Sequence, residues 1–100
     1  MSPEIGSSTE LLKSERIQKE VDRRPGWDHE ADFIRRTYRF PNFRASIAFV
    51  NFVCEVAEAR DHHPDIDIRY SKVTLTLSTH SAGGLTEKDF DLVDRIDGNS

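Results

Sequence analysis

Three histidines, His62, His63 and His80, stand close together in the second half of the chain. Near neutral pH histidine is the side chain that both gives and takes a proton, so a cluster of them suits general acid-base chemistry. His62 and His63 are adjacent and precede Pro64, which stops a helix from continuing through them. Neighbouring residues point in different directions, so the pair either lines two sides of one pocket or presents a single member to it. His80 follows a run in which Val73, Leu75 and Leu77 alternate with Thr74, Thr76 and Ser78, and it shares the parity of the polar row. A lone histidine at a strand end is ordinarily held by a nearby carbonyl, but its companions favour chemistry here. Carboxylates lie at useful spacings as well. Glu58 is four residues before His62, Asp61 is next to it, and Asp89 lies further on. Glu58 and Asp61 suit orienting a histidine and fixing its tautomer, against the plainer reading of a solvated helix end.

A zinc site is the first rival, because three histidines with carboxylates nearby supply the right donor types. Adjacent histidines in a rigid loop are poor joint ligands of one ion, and no His-x-x-x-His helix or cysteine pair is present. No metal is expected. The chain has 100 residues with 18 acidic and 14 basic side chains, enough for one domain with one modest core. Its acidic balance offers no cationic field for nucleic acid. A single cysteine, Cys54, excludes an internal disulfide, and no apolar run approaches a membrane span, so the expectation is a soluble protein of the reducing cytoplasm.

The elements that position these residues follow from periodicity. Residues 1–10 are expected to form a disordered tail, and residues 11–100 a single domain. Leu11, Leu12, Ile17 and Val21 fit one face of a short helix that stops before Pro25-Gly26. After Trp27, two extended pieces are expected, joined through His29-Glu30-Ala31-Asp32. In the second, Ile34, Tyr38 and Phe40 alternate with polar residues, and Arg36 breaks the apolar row. Asn42 is placed to cap a long helix over residues 43–59. That helix shows two apolar stripes, one of Phe43, Ile47, Val50, Cys54 and Ala57, the other of Ala45, Phe49, Phe52, Val56 and Ala59. One stripe needs its own sheet, and the second needs a partner.

Ile66, Ile68 and Tyr70, then Val73, Leu75 and Leu77, mark two half-buried strands joined by Ser71-Lys72, with Tyr70 in the core. A last helix of about ten residues starts at Thr86 as N-cap with Asp89 completing a capping box. Leu85 is set against Phe90 as a staple, and Val93 and Ile96 face inward. The order α-β-β-α-β-β-α implies an α+β fold, a four-stranded antiparallel sheet with three helices packed on one face.

Taken as an ordered set, Glu58, His62-His63-Pro64, Tyr70, Thr79-His80, Gly83-Gly84-Leu85-Thr86 and Asp89 resemble the signature of the pterin-4a-carbinolamine dehydratase family, also known as a dimerisation cofactor of a homeodomain transcription factor. The resemblance runs from Pro25-Gly26-Trp27 to about Ile96. It implies dehydration of a 4a-hydroxytetrahydropterin to the quinonoid dihydropterin, recycling the pterin of aromatic amino acid hydroxylases, with no metal and no organic cofactor. It implies His62 and His80 as the acid-base pair, with acid and base unassigned, and His63 chiefly as a pterin-holding residue. Glu58, Asp61, Pro64, Trp27 and Asp89 become candidate substrate-binding residues, with core packing an equal reading for Trp27 and helix capping a strong one for Asp89. A homodimer or homotetramer, through the helix over 43–59 and the sheet edge, is permitted. Some relatives act as coactivators or assembly factors, so an interaction module using the long helix is the alternative from a different class.

Overall fold

The computed structural model describes residues 10–98, so the expectation of a disordered tail lies, but for Glu10, outside the described residues. Helix α1 (Ser14–Asp22) leads to strands β1 (Asp28–Glu30) and β2 (Phe33–Arg39). Helix α2 (Phe43–Arg60), strands β3 (Asp65–Arg69) and β4 (Lys72–Leu77), a 3-10 turn (His80–Ala82) and helix α3 (Glu87–Asp97) follow. The strands form one sheet in the order β1-β2-β4-β3, antiparallel throughout. This is the expected α+β architecture.

Strand alternation explains which side the helices cover. Ile34 pairs with Leu77, Arg36 with Leu75 and Tyr38 with Val73 across β2 and β4, and Ile34, Val73, Leu75 and Leu77 are fully buried. They form one core with Ile17 and Val21 of α1, Val53 of α2, and Phe90, Leu92, Val93 and Ile96 of α3. On the opposite face Thr37 and Thr74 share a hydrogen bond of 2.8 Å at the open surface.

Arg36, which interrupts the apolar row in the sequence, keeps the inward parity. Its guanidinium lies 4.4 Å from the Tyr38 ring centroid and donates to Asp97 Oδ2 at 3.2 Å. Gly26 makes room for it: at φ +95 it adopts a backbone conformation that side chains resist, and a Cβ there would stand 2.7 Å from Arg36 Nε.

Several local expectations are corrected. The first hairpin connection is only Ala31-Asp32, with His29 and Glu30 already paired in β1. The second turn is Tyr70-Ser71, not Ser71-Lys72. Tyr70 takes a positive φ of 54 there and is 68% exposed, so it is not a core residue. It stacks on Phe43 instead, with ring centroids 6.4 Å apart. Strand β3 lies at the sheet edge and is exposed along its length, with Ile66 and Ile68 on the inner parity but beyond the reach of the helical cover. In α2 neither stripe is the buried one. The inward line is Ser46, Val53 and Ala57, flanked by partly buried Phe49, Val50 and Val56.

Helix α1 is clamped to α3 by ion pairs. Arg24 donates to Glu20 Oε1 at 2.7 Å and, through two nitrogens, to both oxygens of Asp94 at 2.8 Å, while Arg16 donates to Glu20 Oε2 at 2.7 Å. Burial alone would raise the Glu20 carboxyl, but hydrogen bonds and charge from Arg16 and Arg24 outweigh it and hold the group below its ordinary 4.5. A depressed carboxyl contributes stability that is complete above its unfolded value and lost as pH falls through its folded one. The melting-temperature advantage of the wild type over Glu20→Gln is therefore expected to be full near neutral pH and to shrink as pH falls below the ordinary carboxyl value and through the lowered folded one. An advantage that stays constant across that range would contradict the clamp.

Candidate active site

The histidines are brought together by two chain reversals. Helix α2 ends at Arg60, and Asp61 takes a left-handed φ of 52 with its N–H donating to Ala57 and Glu58 carbonyls. The His62 N–H also returns to the Ala57 carbonyl, at 3.1 Å. This closing turn satisfies the last helical carbonyls and folds the chain back over the helix end. It directs His62 toward the start of α3, and Pro64 then leads into β3. Beyond β4, the Thr79 N–H donates to the Gly84 carbonyl at 2.8 Å, closing a small loop whose 3-10 turn starts at His80. Gly83 closes that turn at φ +80.

At the start of α3, the Thr86 hydroxyl accepts from the Lys88 N–H, and the Asp89 carboxylate reaches back to the Thr86 N–H at 2.9 Å, giving the expected capping box. Asp89 is fully buried. Its other oxygen, Oδ1, lies 2.7 Å from His62 Nε2. Its capping oxygen, Oδ2, also accepts from the Thr79 hydroxyl at 2.8 Å. Asp89 thus serves the helix cap and the histidine with different oxygens. The helix N-terminus, with its unpaired N–H groups, favours a negative charge at this position.

The His62 ring is only 12% exposed. His63 is half exposed, and its Nε2 lies 2.6 Å from Glu58 Oε2. The expected spacing of Glu58 therefore serves His63, not His62. A shallow cleft of about 250 Å³ is lined by Asp61, His62, His63, His80, Ser81 and Lys88, with Ser78 and Thr79. The structure gathers the three histidines and Asp61 there, with Asp89 behind them and Glu58 beside His63. Pro64 does not line the cleft.

Trp27 is not brought to it either. It is buried in the core, and its indole N–H donates to Asp97 Oδ2 at 2.9 Å, at the far end of α3 from Asp89. The separation of eight positions from Asp89 to Asp97 amounts to roughly 12 Å of helix. Of the two readings for this tryptophan, the packed one holds. Lys88, Ser78 and Ser81 are cleft residues that the sequence did not single out for the site, and Thr79 stood there only as part of the resembled signature. Lys88 stands beside the capping Asp89 in the first turn of α3, and Thr79 directly precedes His80, which are the signals that pointed to them. Among the described residues, no three His, Cys, Asp or Glu side chains converge as a metal site would require. No helix among them is long and apolar enough to cross a membrane.

A family model described as pterin 4 alpha carbinolamine dehydratase matches residues 10–99. A protein of Roseiflexus castenholzii, provisionally named a pterin-4-alpha-carbinolamine dehydratase, is 53% identical over 87 residues, covering 87% of this chain and 94% of its own length. One of Nocardia farcinica, named in the same way, is 52% identical over 90 residues, covering 90% and 95%. The crystal structure of a transcriptional coactivator/pterin dehydratase from Brucella melitensis superimposes with a TM-score of 0.83 at 28% identity, covering 87% of this chain and 95% of that one. A pterin dehydratase-like protein identified as a RuBisCO assembly factor in the alpha-carboxysome shares the fold, with a TM-score of 0.59 at 19% identity over 72% of this chain and 83% of that one. Likeness of sequence over nearly the whole described length, joined to likeness of fold, means that this chain belongs to the pterin-4a-carbinolamine dehydratase family.

Proposed function

We propose that this protein removes water from pterin-4a-carbinolamine, a 4a-hydroxytetrahydropterin, to give the quinonoid dihydropterin. The observation that carries the reading is the shared cleft: His62, His63 and His80 come from two separate loops and line one open depression. In the reaction, the C4a–O bond breaks and its electron pair leaves with the hydroxyl, which takes up a proton to become water. N5 loses its proton, and an electron pair from N5 completes the C4a–N5 double bond. Atoms and charge balance with one acid and one base, and no electrons are exchanged with a second molecule. Neither a metal nor an organic cofactor is required by that chemistry.

In this reading His62 and His80 are the acid-base pair. His63, braced by Glu58, holds the pterin head group, and Asp61 contributes a polar edge to the cleft. Asp89 acts through His62, Pro64 ends the helix so that the pair is free to turn, and Trp27 has no contact with substrate. The 4a-hydroxypterin is what an aromatic amino acid hydroxylase leaves after using its pterin, so such an enzyme is the natural source of substrate. A cytoplasmic setting matches the lone, unpaired Cys54. A coupled assay tests the function: a hydroxylase generates the 4a-hydroxypterin, and added protein is expected to accelerate recovery of the dihydropterin. Recovery at the spontaneous rate would overturn it.

A second reading, compatible with the first, is an interaction surface. Phe43 and Phe52 on α2 and Ile66 and Ile68 on β3 are between 38% and 47% exposed, a large apolar presence for a chain of this size. Self-association through α2 and the sheet edge, as a homodimer or homotetramer, would bury them. Light scattering reads this directly. The wild type is expected to be oligomeric and Phe52→Glu to lose mass, whereas a monomeric wild type would contradict self-association.

A further inference from the structure

Behind the cleft lies a buried chain of hydrogen bonds that ends on His62, and its direction can be worked out donor by donor. Thr79, Thr86 and Asp89 are 3%, 0% and 0% exposed, so none of their polar atoms has water to fall back on. The Thr86 N–H is a donor without ambiguity, and it points at Asp89 Oδ2 at 2.9 Å. The Thr79 hydroxyl gives its single proton to the same oxygen at 2.8 Å. Its 2.8 Å contact with the Thr86 hydroxyl must then use the proton of Thr86. The Thr86 oxygen in turn accepts from the Lys88 N–H at 3.2 Å. Every proton in the chain runs toward Asp89. With two donors already converging on Oδ2, the Asp89 carboxylate is the accepting end of the chain at a helix N-terminus, and its remaining oxygen, 2.7 Å from His62 Nε2, is matched by a proton on that nitrogen.

We propose that Thr79, Thr86 and Asp89 are positioning residues that lock His62 in the tautomer with its proton on Nε2, leaving Nδ1 bare as the nitrogen that serves as base. The inference deepens the dehydratase reading and rests on it for the word base, whereas the tautomer stands on the hydrogen bonds alone. It also resolves the roles left open between the two histidines. With His62 Nδ1 accepting the N5 proton, the proton for the departing hydroxyl comes from His80, the other half of the pair. No carboxylate is hydrogen-bonded to the His80 ring among the described residues. The open cleft lets bulk water return both histidines to their starting states.

The test reads the tautomer first and the rate second. In ¹⁵N-edited NMR of the whole protein, wild-type His62 is expected to carry its proton on Nε2. Asp89→Asn keeps the shape and the cap: its carbonyl oxygen still accepts from the Thr86 N–H and the Thr79 hydroxyl, so its amide nitrogen must face His62. That amide is a donor, so it forces Nε2 to accept and moves the ring proton to Nδ1. The expected result is the opposite tautomer with a fall in kcat of at least about a hundredfold and little change in KM. Thr79→Val, which removes one donor to Asp89, is expected to blur the single tautomer and lower kcat by about tenfold, and Thr79→Ser to restore both. Wild-type His62 with its proton on Nδ1 would overturn the proposal without any variant having to fold. So would Asp89→Asn with the wild-type tautomer, or Thr79→Val with the wild-type tautomer and rate. If the NMR results hold while no variant or wild type dehydrates the pterin, the positioning stands and the dehydratase reading falls.

Discussion

Alanine at His62 or at His80 is expected to lower kcat for dehydration of the 4a-hydroxytetrahydropterin by about a hundredfold or more, the usual worth of a placed acid or base. Each substitution removes one of the two proton positions that the balanced reaction needs. The double variant is expected to be hardly worse than either single one, because the residues act as one unit on one step. Alanine at His63 should behave differently. Its ring is half exposed and tied to Glu58, outside the buried chain behind His62, so its loss is expected mainly in KM. None of the three belongs to the apolar core, but His62→Ala also leaves the buried Asp89 Oδ1 without its partner, so its melting temperature is read beside its rate. A His62→Ala, His80→Ala protein with wild-type kcat would sink the residue assignment while leaving the family untouched.

The largest expected effect on stability lies at the other end of α3, at Asp97. Its carboxylate accepts from the Trp27 indole at 2.9 Å, from the Tyr38 hydroxyl at 2.5 Å and from Arg36 at 3.2 Å. These donors come from the turn after α1 and from β2, so one side chain ties three parts of the fold together. Burial, followed by the hydrogen bond and charge of Asp97, pushes the Tyr38 phenol well up, so its hydroxyl remains a donor. Asp97→Ala would leave an indole N–H and a phenol without an acceptor and strip Arg36 of its ion pair, leaving it only the Pro25 carbonyl at 3.1 Å. The expected loss is about 3–5 kcal/mol in urea denaturation, a large share of the stability of so small a domain. Asp97→Asn keeps one acceptor oxygen and should lose clearly less. A loss for Asp97→Ala within about 1 kcal/mol would mean that water replaces the carboxylate freely and that the hub is not a hub.

What could be read from the sequence was what is local. The start of α3 was legible because a capping box and a staple are written within a few residues, and Thr86, Asp89 and Phe90 stand as expected. The alternation of β4 was equally plain. Strand β3 has the same alternation, but its exposure follows from its place at the sheet edge, which no local pattern encodes. Tyr70 illustrates the limit in another way: alternation put it inside, yet the turn needed a residue at positive φ and took it. In α2, apolar residues on nearly every side hid the inward line, and fully buried Val53 belonged to neither stripe.

The candidate site shows the same division. The histidines and Asp89 were visible as residue types, and the resemblance supplied the pterin. The bond from His62 to Asp89 spans 27 positions and depends on the left-handed turn at Asp61, so no spacing rule joins those two residues. Glu58 was expected to serve a histidine and does, but the reversal after α2 hands it His63. Thr86 was legible as a cap residue and Thr79 only as the neighbour of His80 in the resembled signature, and their meeting with Asp89 gives them a part in the site.

The central claim is that this cleft carries out the dehydration, and the rate at which the 4a-hydroxytetrahydropterin itself disappears tests it most directly. Followed by stopped-flow absorbance with and without the protein, the decay is predicted to speed up in proportion to protein concentration and to return to the spontaneous rate with the His62→Ala, His80→Ala variant. Decay at the spontaneous rate in the presence of wild-type protein would contradict the account.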